Sequence, residues 1–300
     1  MKTLIVISGP TASGKTSLGI RLAQKYDTEI ISADSRQFYK EMNIGTAKPN
    51  QEELAAAKHH LIGHINIQKA YNAGDYEQEV LTLLEGLFKK KDIVILVGGS
   101  GLFIKALLEG LDEFPDVSQE LVNQVEDDWR SKGLSFLQEE LKEKDPVYYK
   151  QVDLDNPMRI IRALSVIRAS GKTFSSFRTG KKKERPFESI HISLEWNREE
   201  LYKRINKRVD LMLEAGLMEE VKKLHPFKNL KSLQTVGYQE FFSYLDNEYD
   251  FEEAIRLVKR NSRRYAKRQI TWFKKMDDVQ YFHPSQWEEL SAFVENKIMA

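Results

Sequence analysis

The chain of 300 residues carries 46 Lys and Arg against 45 Asp and Glu, is 41% hydrophobic and 30% charged, and has no Cys. That length buries a sizeable core as one large or two modest domains, and the charge balance excludes a uniformly basic or acidic surface. The missing thiols exclude a disulfide scaffold, a thiolate zinc site and a Cys nucleophile, and no apolar run approaches the roughly 18–20 residues a membrane helix needs.

Residues 3–8 form a continuous apolar, β-branched run, the pattern of a parallel strand buried on both faces. The run meets Gly9-Pro10 too early for a signal peptide, so a cytoplasmic protein with no membrane partner is expected. After a glycine-rich turn, 15–26 has helical spacing in Leu18, Ile20, Leu22 and Ala23. A short strand follows over Glu29–Ser32, stopping at Ala33-Asp34-Ser35, and helices over 51–60 and 75–90. A third strand, Ile93–Val97, stops at Gly98-Gly99-Ser100-Gly101 and runs into a helix over 102–108. Strand, glycine turn, helix and strand in this alternation predict a doubly wound α/β domain with a parallel sheet.

The texture then changes. From Leu111 to about Asp145 the chain is helical and acid-rich, with a break at Asp145-Pro146. A further helix over 157–170 is closed by Gly171, and TGKKKERP at 179–186 reads as an exposed loop. Ile190–Leu194 returns as a strand, 198–225 reads as one long amphipathic helix, and the remainder is mostly helical. The expected organisation is a discontinuous core of 1–111 and 187–300, interrupted by a helical insertion over 112–186.

The strongest motif is Gly9-Pro10-Thr11-Ala12-Ser13-Gly14-Lys15-Thr16, a complete G-x-x-x-x-G-K-[ST] phosphate loop between a buried strand and a helix. Gly9 and Gly14 let successive N–H groups turn inward, the helix N-terminus adds partial positive charge, and Lys15 neutralises phosphate charge. Thr16 is the candidate Mg²⁺ ligand. A nucleotide hydrolase would add a second strand ending in a carboxylate, yet Ile93–Val97 ends in Gly98-Gly99-Ser100. The carboxylate sits instead at Asp34, at the end of the second strand, where α/β proteins place ligands. Asp34 fits a group acting on a second substrate, a helix N-cap or a Mg²⁺ ligand.

Residues 256–275 hold nine Lys or Arg and no acid, interleaved with Tyr265, Trp272 and Phe273. Such a stripe neutralises phosphates while its aromatics stack on unpaired bases, and the acid-rich 112–145 segment balances its charge. Two classes remain on these grounds: a small-molecule kinase, or a transferase acting on nucleic acid with a diphosphate-bearing donor in the loop. The stripe favours the second.

The phosphate loop, together with SADSRQ at 32–37, NIGTAKP at 43–49 and GGSGL at 98–102, resembles the bacterial tRNA dimethylallyltransferase family. The resemblance continues through NPMRIIRAL at 156–164, RINKRVDLMLEAG at 204–216, TVGY at 235–238 and KRQITWF at 267–273, covering nearly the whole chain. It implies transfer of a dimethylallyl group from dimethylallyl diphosphate to N6 of adenosine 37 in tRNAs reading codons that begin with U. It also implies a P-loop-type core, Mg²⁺, and a monomer. By the family pattern, Asp34 accepts the N6 proton, while Lys15, Thr16, Ser100 and Arg208 stabilise the leaving diphosphate. The tRNA contacts implied are Asp34, Ser35, Arg36 and Gln37; Met158, Arg159 and Arg162; and Gln234, Val236, Gly237 and Tyr238. The insertion would grip the anticodon stem-loop, and Arg263, Arg264 and Lys267 would serve its backbone. His59 and His60 read as structural. Three positions depart from the pattern: Ser100 for the usual Thr, Phe103 for a common Tyr, and Val122 for a common tRNA-touching Arg, which neighbouring Asn123 replaces only in part. An isopentenyltransferase acting on free adenine nucleotides shares the loop chemistry but has little use for the insertion or the basic stripe.

Overall fold

The computed structural model describes residues 2–299 and divides into two compact units, Met1–Leu108 with Glu184–Ala300, and Glu109–Lys183. In the first unit a six-stranded, all-parallel sheet is built from β1 (Thr3–Ser8), β2 (Ile30–Ser32), β3 (His59–His60), β4 (Ile93–Val97), β5 (Glu188–Leu194) and β6 (Val279–Phe282), in the order β3-β2-β4-β1-β5-β6. Alternation along β1 explains its uninterrupted apolar sequence. Leu4 and Val6 enter the core on one face, and Ile5 and Ile7 enter the core on the other. The helices α1 (Lys15–Lys25), α2 (Gln51–Ala56), α3 (Ala73–Phe88) and α4 (Gly101–Glu109) lie between these strands in sequence, as a doubly wound α/β fold requires.

The second unit holds α5 (Gln119–Lys132), α6 (Leu134–Lys144), α7 (Pro146–Tyr149), α8 (Pro157–Ser170) and α9 (Phe174–Phe177) around a core of Val125, Leu137, Leu141, Ile160 and Leu164. Its fully buried acid, Asp145, caps α7 by accepting from the Tyr148 N–H at 3.0 Å and also takes the Ser175 N–H at 2.7 Å. Much of the acid excess is consumed locally, for Arg168 bonds Asp128 at 2.7 Å and Glu140 at 2.5 Å. Val122 packs partly against this core, and Asn123 is exposed and bonded to Gln119.

The first unit then continues with α10 (Arg198–Glu214), α11 (Leu217–Leu224), α12 (Gln239–Leu245), α13 (Phe251–Phe273) and α14 (Trp287–Met299). Two expectations are corrected. The single helix over 198–225 is two, because Gly216 takes φ 93° and ends the first. The helix expected over 51–60 stops at Ala56: Ala57 is extended, and His59–His60 form an edge strand beside β2. There His60 pairs with Glu29 at 2.5 Å, and His59 bonds the Ala57 carbonyl at 2.8 Å, both structural contacts. The C-terminal segment, read as mostly helical, also contributes β6. Phe103 sits in an apolar aromatic cluster, its ring centroid 5.2 Å from that of Tyr76. No helix among the described residues is long and apolar enough to cross a membrane.

Candidate active site

The phosphate loop leaves β1 and enters α1 with φ 137° at Gly9, 63° at Ala12 and 94° at Gly14. Gly9 has no room for a side chain, since a Cβ there would lie 2.9 Å from the Leu194 carbonyl oxygen. Protein donors hold three loop carbonyls. Lys15 Nζ donates to Pro10 at 2.7 Å, Arg204 Nε to Ala12 at 2.9 Å, and Trp196 Nε1 to Ser13 at 2.9 Å. The Arg204 guanidinium also stacks over the Trp196 ring, 4.3 Å from its centroid. With no side-chain cap on α1, the first N–H groups of the helix remain available to an anion.

The loop opens on a cavity of about 610 Å³ within the first unit. Thr11–Thr16, Asp34, Arg36, Gln37, Arg208, Val236 and Gly237 all line it, so much of the motif-derived set converges on one space. Burial pushes the Lys15 ammonium down to about 8, against the opposing pull of the Asp34 charge and with the help of Arg208. The Arg208 guanidinium is likewise lowered by burial, opposed by Asp34 and Glu53. Its Nη1 donates to Thr11 Oγ1 at 3.2 Å, which brings α10 to the loop. Neither cation has an ion-pair partner among the described residues. Such recessed, uncompensated charges make a site for an anion.

Asp34 emerges from β2, its Oδ1 accepting the Arg36 N–H at 3.0 Å in a local turn. The Gly98–Gly101 turn supports that loop from behind. A Cβ on Gly98 would meet the Ala33 oxygen at 2.1 Å, and the Ser100 N–H donates to that same oxygen at 3.1 Å. Ser100 Oγ accepts the Ser35 N–H at 2.9 Å and donates to Ser35 Oγ at 3.1 Å. Ser100 thus holds the Asp34 loop through Ser35. Arg36 and Gln37 are partly occupied too, Arg36 Nη1 donating to the Ser232 carbonyl at 2.9 Å and Gln37 Nε2 to that of Ala47 at 3.0 Å.

Tyr238, expected at the RNA, is fully buried, and its hydroxyl donates to Glu220 at 2.6 Å. Its ring presses on Gly45, where a Cβ would lie 2.6 Å away. Glu220 also accepts the N–H groups of Asn43, Ile44 and Gly45 at 2.9–3.0 Å, pinning the loop that presents Gly45–Lys48 to the cavity. The remaining expected contacts are more open. Met158, Arg159 and Arg162 are exposed on α8 of the second unit, with Arg162 lying 5.6 Å from the Phe114 centroid. Gln234 is exposed and donates to the Lys228 carbonyl at 2.6 Å. On α13, Arg264 and Lys267 are exposed with no carboxylate partner among the described residues, whereas Arg263 bonds Asn206 at 2.7 Å.

The basic stripe and the KRQITWF motif contain Tyr265 and Gln269 without marking the cavity face of α13. Val258, Ser262, Tyr265 and Gln269 recur at helical spacing and line the cavity. Burial and the nearby Asp34 charge push the Tyr265 phenol up to about 12. The cavity also gathers hard oxygen donors, the Thr16 hydroxyl and the Asp34 carboxylate, among cations suited to phosphate. Mg²⁺ carried largely by phosphate oxygens needs no more than one or two protein ligands, so this donor set fits it.

A family model described as IPP transferase matches residues 37–276. The chain is 50% identical over 297 residues to the tRNA dimethylallyltransferase of Cytophaga hutchinsonii, covering 99% of this chain and 98% of that one. It is 51% identical over 296 residues to the tRNA dimethylallyltransferase of Christiangramia forsetii, covering 98% of each. Among solved structures it resembles the full-length tRNA isopentenylpyrophosphate transferase from Bacillus halodurans, with TM-score 0.73 and 34% identity, covering 100% of this chain and 96% of that one. A eukaryotic dimethylallyltransferase acting on tRNA superposes with TM-score 0.85 and 27% identity, covering 100% of this chain and 80% of its own.

The lowered Lys15 ammonium predicts a pH dependence of anion binding. A bound diphosphate favours the charged amine and raises its pKa, so affinity is full below about pH 8 and falls as the pH rises past that value. Pyrophosphate affinity measured by calorimetry from pH 6.5 to 9.5 should therefore fall more steeply than in Lys15→Arg. The titrations of the ligand and of Lys48, also lowered to about 8, are common to both proteins and cancel in the ratio. Parallel profiles for the two proteins would rule Lys15 out as the titrating group.

Proposed function

The chain belongs to the IPP transferase family, and we propose that it is a tRNA dimethylallyltransferase, moving a dimethylallyl group from its diphosphate to N6 of adenosine 37 beside the anticodon. The observation that carries this reading is a single cavity lined by both halves of the chemistry: the phosphate loop with Lys15 and Arg208, and the carboxylate of Asp34. An allylic diphosphate departs more easily when fixed cations and N–H groups meet its developing charge. An exocyclic purine amine is a weak nucleophile, and a positioned carboxylate strengthens it as general base.

In this mechanism the N6 lone pair forms a bond to C1 of the dimethylallyl group. The C1–O bond breaks and its electron pair leaves with the diphosphate, while Asp34 takes the N6 proton. Lys15, Arg208 and the N–H groups at the start of α1 receive the diphosphate. Thr16 would hold Mg²⁺ together with the donor's own phosphate oxygens, and the bound ion would offset part of the diphosphate charge. The adenine must leave the anticodon-loop stack to reach a recessed carboxylate. Ser100 enters this scheme by fixing Ser35 and hence the Asp34 loop, which needs only a hydroxyl and is met by Ser as by Thr. The tRNA partner fits Arg264 and Lys267 on α13 and Met158, Arg159 and Arg162 on α8, exposed groups suited to phosphates and unpaired bases.

Two measurements test the assignment. Asp34→Ala should lower kcat on the order of 10²- to 10⁴-fold, the usual worth of a general base, with affinity for an anticodon stem-loop kept within about threefold. Normal turnover with weakened RNA binding would remove Asp34 from the chemistry. Replacing Arg264 and Lys267 together by Ala should reduce the slope of log affinity against log salt by about 2; an unchanged slope would show that this face of α13 does not meet RNA.

A further inference from the structure

We propose that Gln269 is a positioning residue that sets the spacing between the phosphate loop and the Asp34 carboxylate, an inference resting on the transferase reading above. Gln269 is buried on α13, and its Oε1 accepts the Thr11 N–H at 2.8 Å while its Nε2 donates to the Gly99 carbonyl at 2.9 Å. Both partners are backbone groups whose donor and acceptor roles are fixed, so the orientation of the amide is determined by them. The two ends reach different halves of the site. Thr11 belongs to the diphosphate cradle. Gly99 belongs to the turn whose next residue, Ser100, holds Ala33 and Ser35 on either side of Asp34.

Gln269 is therefore a strut with one end on the leaving-group side and the other on the proton-acceptor side. The Gly99 position has been fitted to it: a Cβ there would lie 2.3 Å from Gln269 Nε2. The Gln amide supplies one acceptor and one donor in the same plane at neutral pH. A carboxylate satisfies Thr11 and faces the Gly99 oxygen with like charge, and a thioether satisfies neither. In-line transfer depends on the distance between nucleophile and allylic carbon, and misplacement by about 1 Å costs on the order of 100-fold. Gln269 touches neither reacting atom; its effect runs through the two loops.

The test uses the full-length protein with Gln269→Met and Gln269→Glu, assayed with dimethylallyl diphosphate, Mg²⁺ and anticodon stem-loop RNA. Gln269→Met should lose between 10- and 100-fold in kcat, on the scale expected of misplaced reactants, while the Kd values for pyrophosphate and for stem-loop RNA stay within about threefold. In Gln269→Glu the protonated carboxyl reproduces both hydrogen bonds, so its activity relative to the parent should climb as the pH falls from 8 to 5.5, measured where melting curves show both proteins folded. That climb is the readout if Gln269→Met does not fold. Parental kcat in either variant at pH 8, or a Gln269→Glu to parent ratio independent of pH, would overturn the inference and leave Gln269 a packing contact. Failure of the parent protein itself to label the RNA would instead count against the transferase reading.

Discussion

Two recessed cations without a carboxylate partner among the described residues are the constraint around which the first unit is organised. Lys15 and Arg208 face a common cavity, and burial works against the charge of each. A fold tolerates this only when a ligand anion returns the lost solvation or when the charges can discharge. Lys15 is held low enough to do the second at about pH 8, and its place in a phosphate loop points to the first. Asp34, the acid whose field both cations feel, forms no ion pair with either. It keeps its oxygens for the Arg36 N–H and for the cavity.

The rest of the unit holds those groups in place. Trp196 and Arg204 draw two loop carbonyls away, and Gln269 and Arg208 fasten Thr11 from α13 and α10. Glu220 gathers three consecutive N–H groups and the Tyr238 hydroxyl, and so fixes the far wall. Apart from Trp196, which stands between β5 and α10, these groups reach from helices to irregular loops, the arrangement a site needs when its reacting groups sit on loops. α13 has two faces with different tasks. Val258, Ser262, Tyr265 and Gln269 form the cavity wall, and Arg264 and Lys267 stand exposed on the helix.

Much of this was legible from the chain because it is contiguous. The loop from Gly9 to Thr16 announces itself in eight residues, and Asp34 is conspicuous as an acid ending an apolar strand. The parallel core followed from uninterrupted runs such as Leu4–Ile7. The edge strands His59–His60 and Val279–Phe282 did not, since each is very short and only partly buried, and neither shows such a run. The supports were illegible for another reason. Gln269 and Thr11 are 258 positions apart, and Glu220 and Asn43 are 177 apart, so no local spacing records their contact. Tyr238 shows the opposite case: a motif marks the position, and the fold packs its ring and hydroxyl against the Gly45 loop and Glu220.

The most direct measurement is a transfer assay with radiolabelled dimethylallyl diphosphate and Mg²⁺, offering unmodified anticodon stem-loop RNA and free AMP as acceptors in one reaction. A cavity that joins a diphosphate cradle to Asp34 for use on tRNA predicts label on the RNA, one pyrophosphate released per group transferred, and no label when adenosine 37 is replaced by guanosine. Label on AMP with none on the stem-loop would contradict it and make a free nucleotide the acceptor.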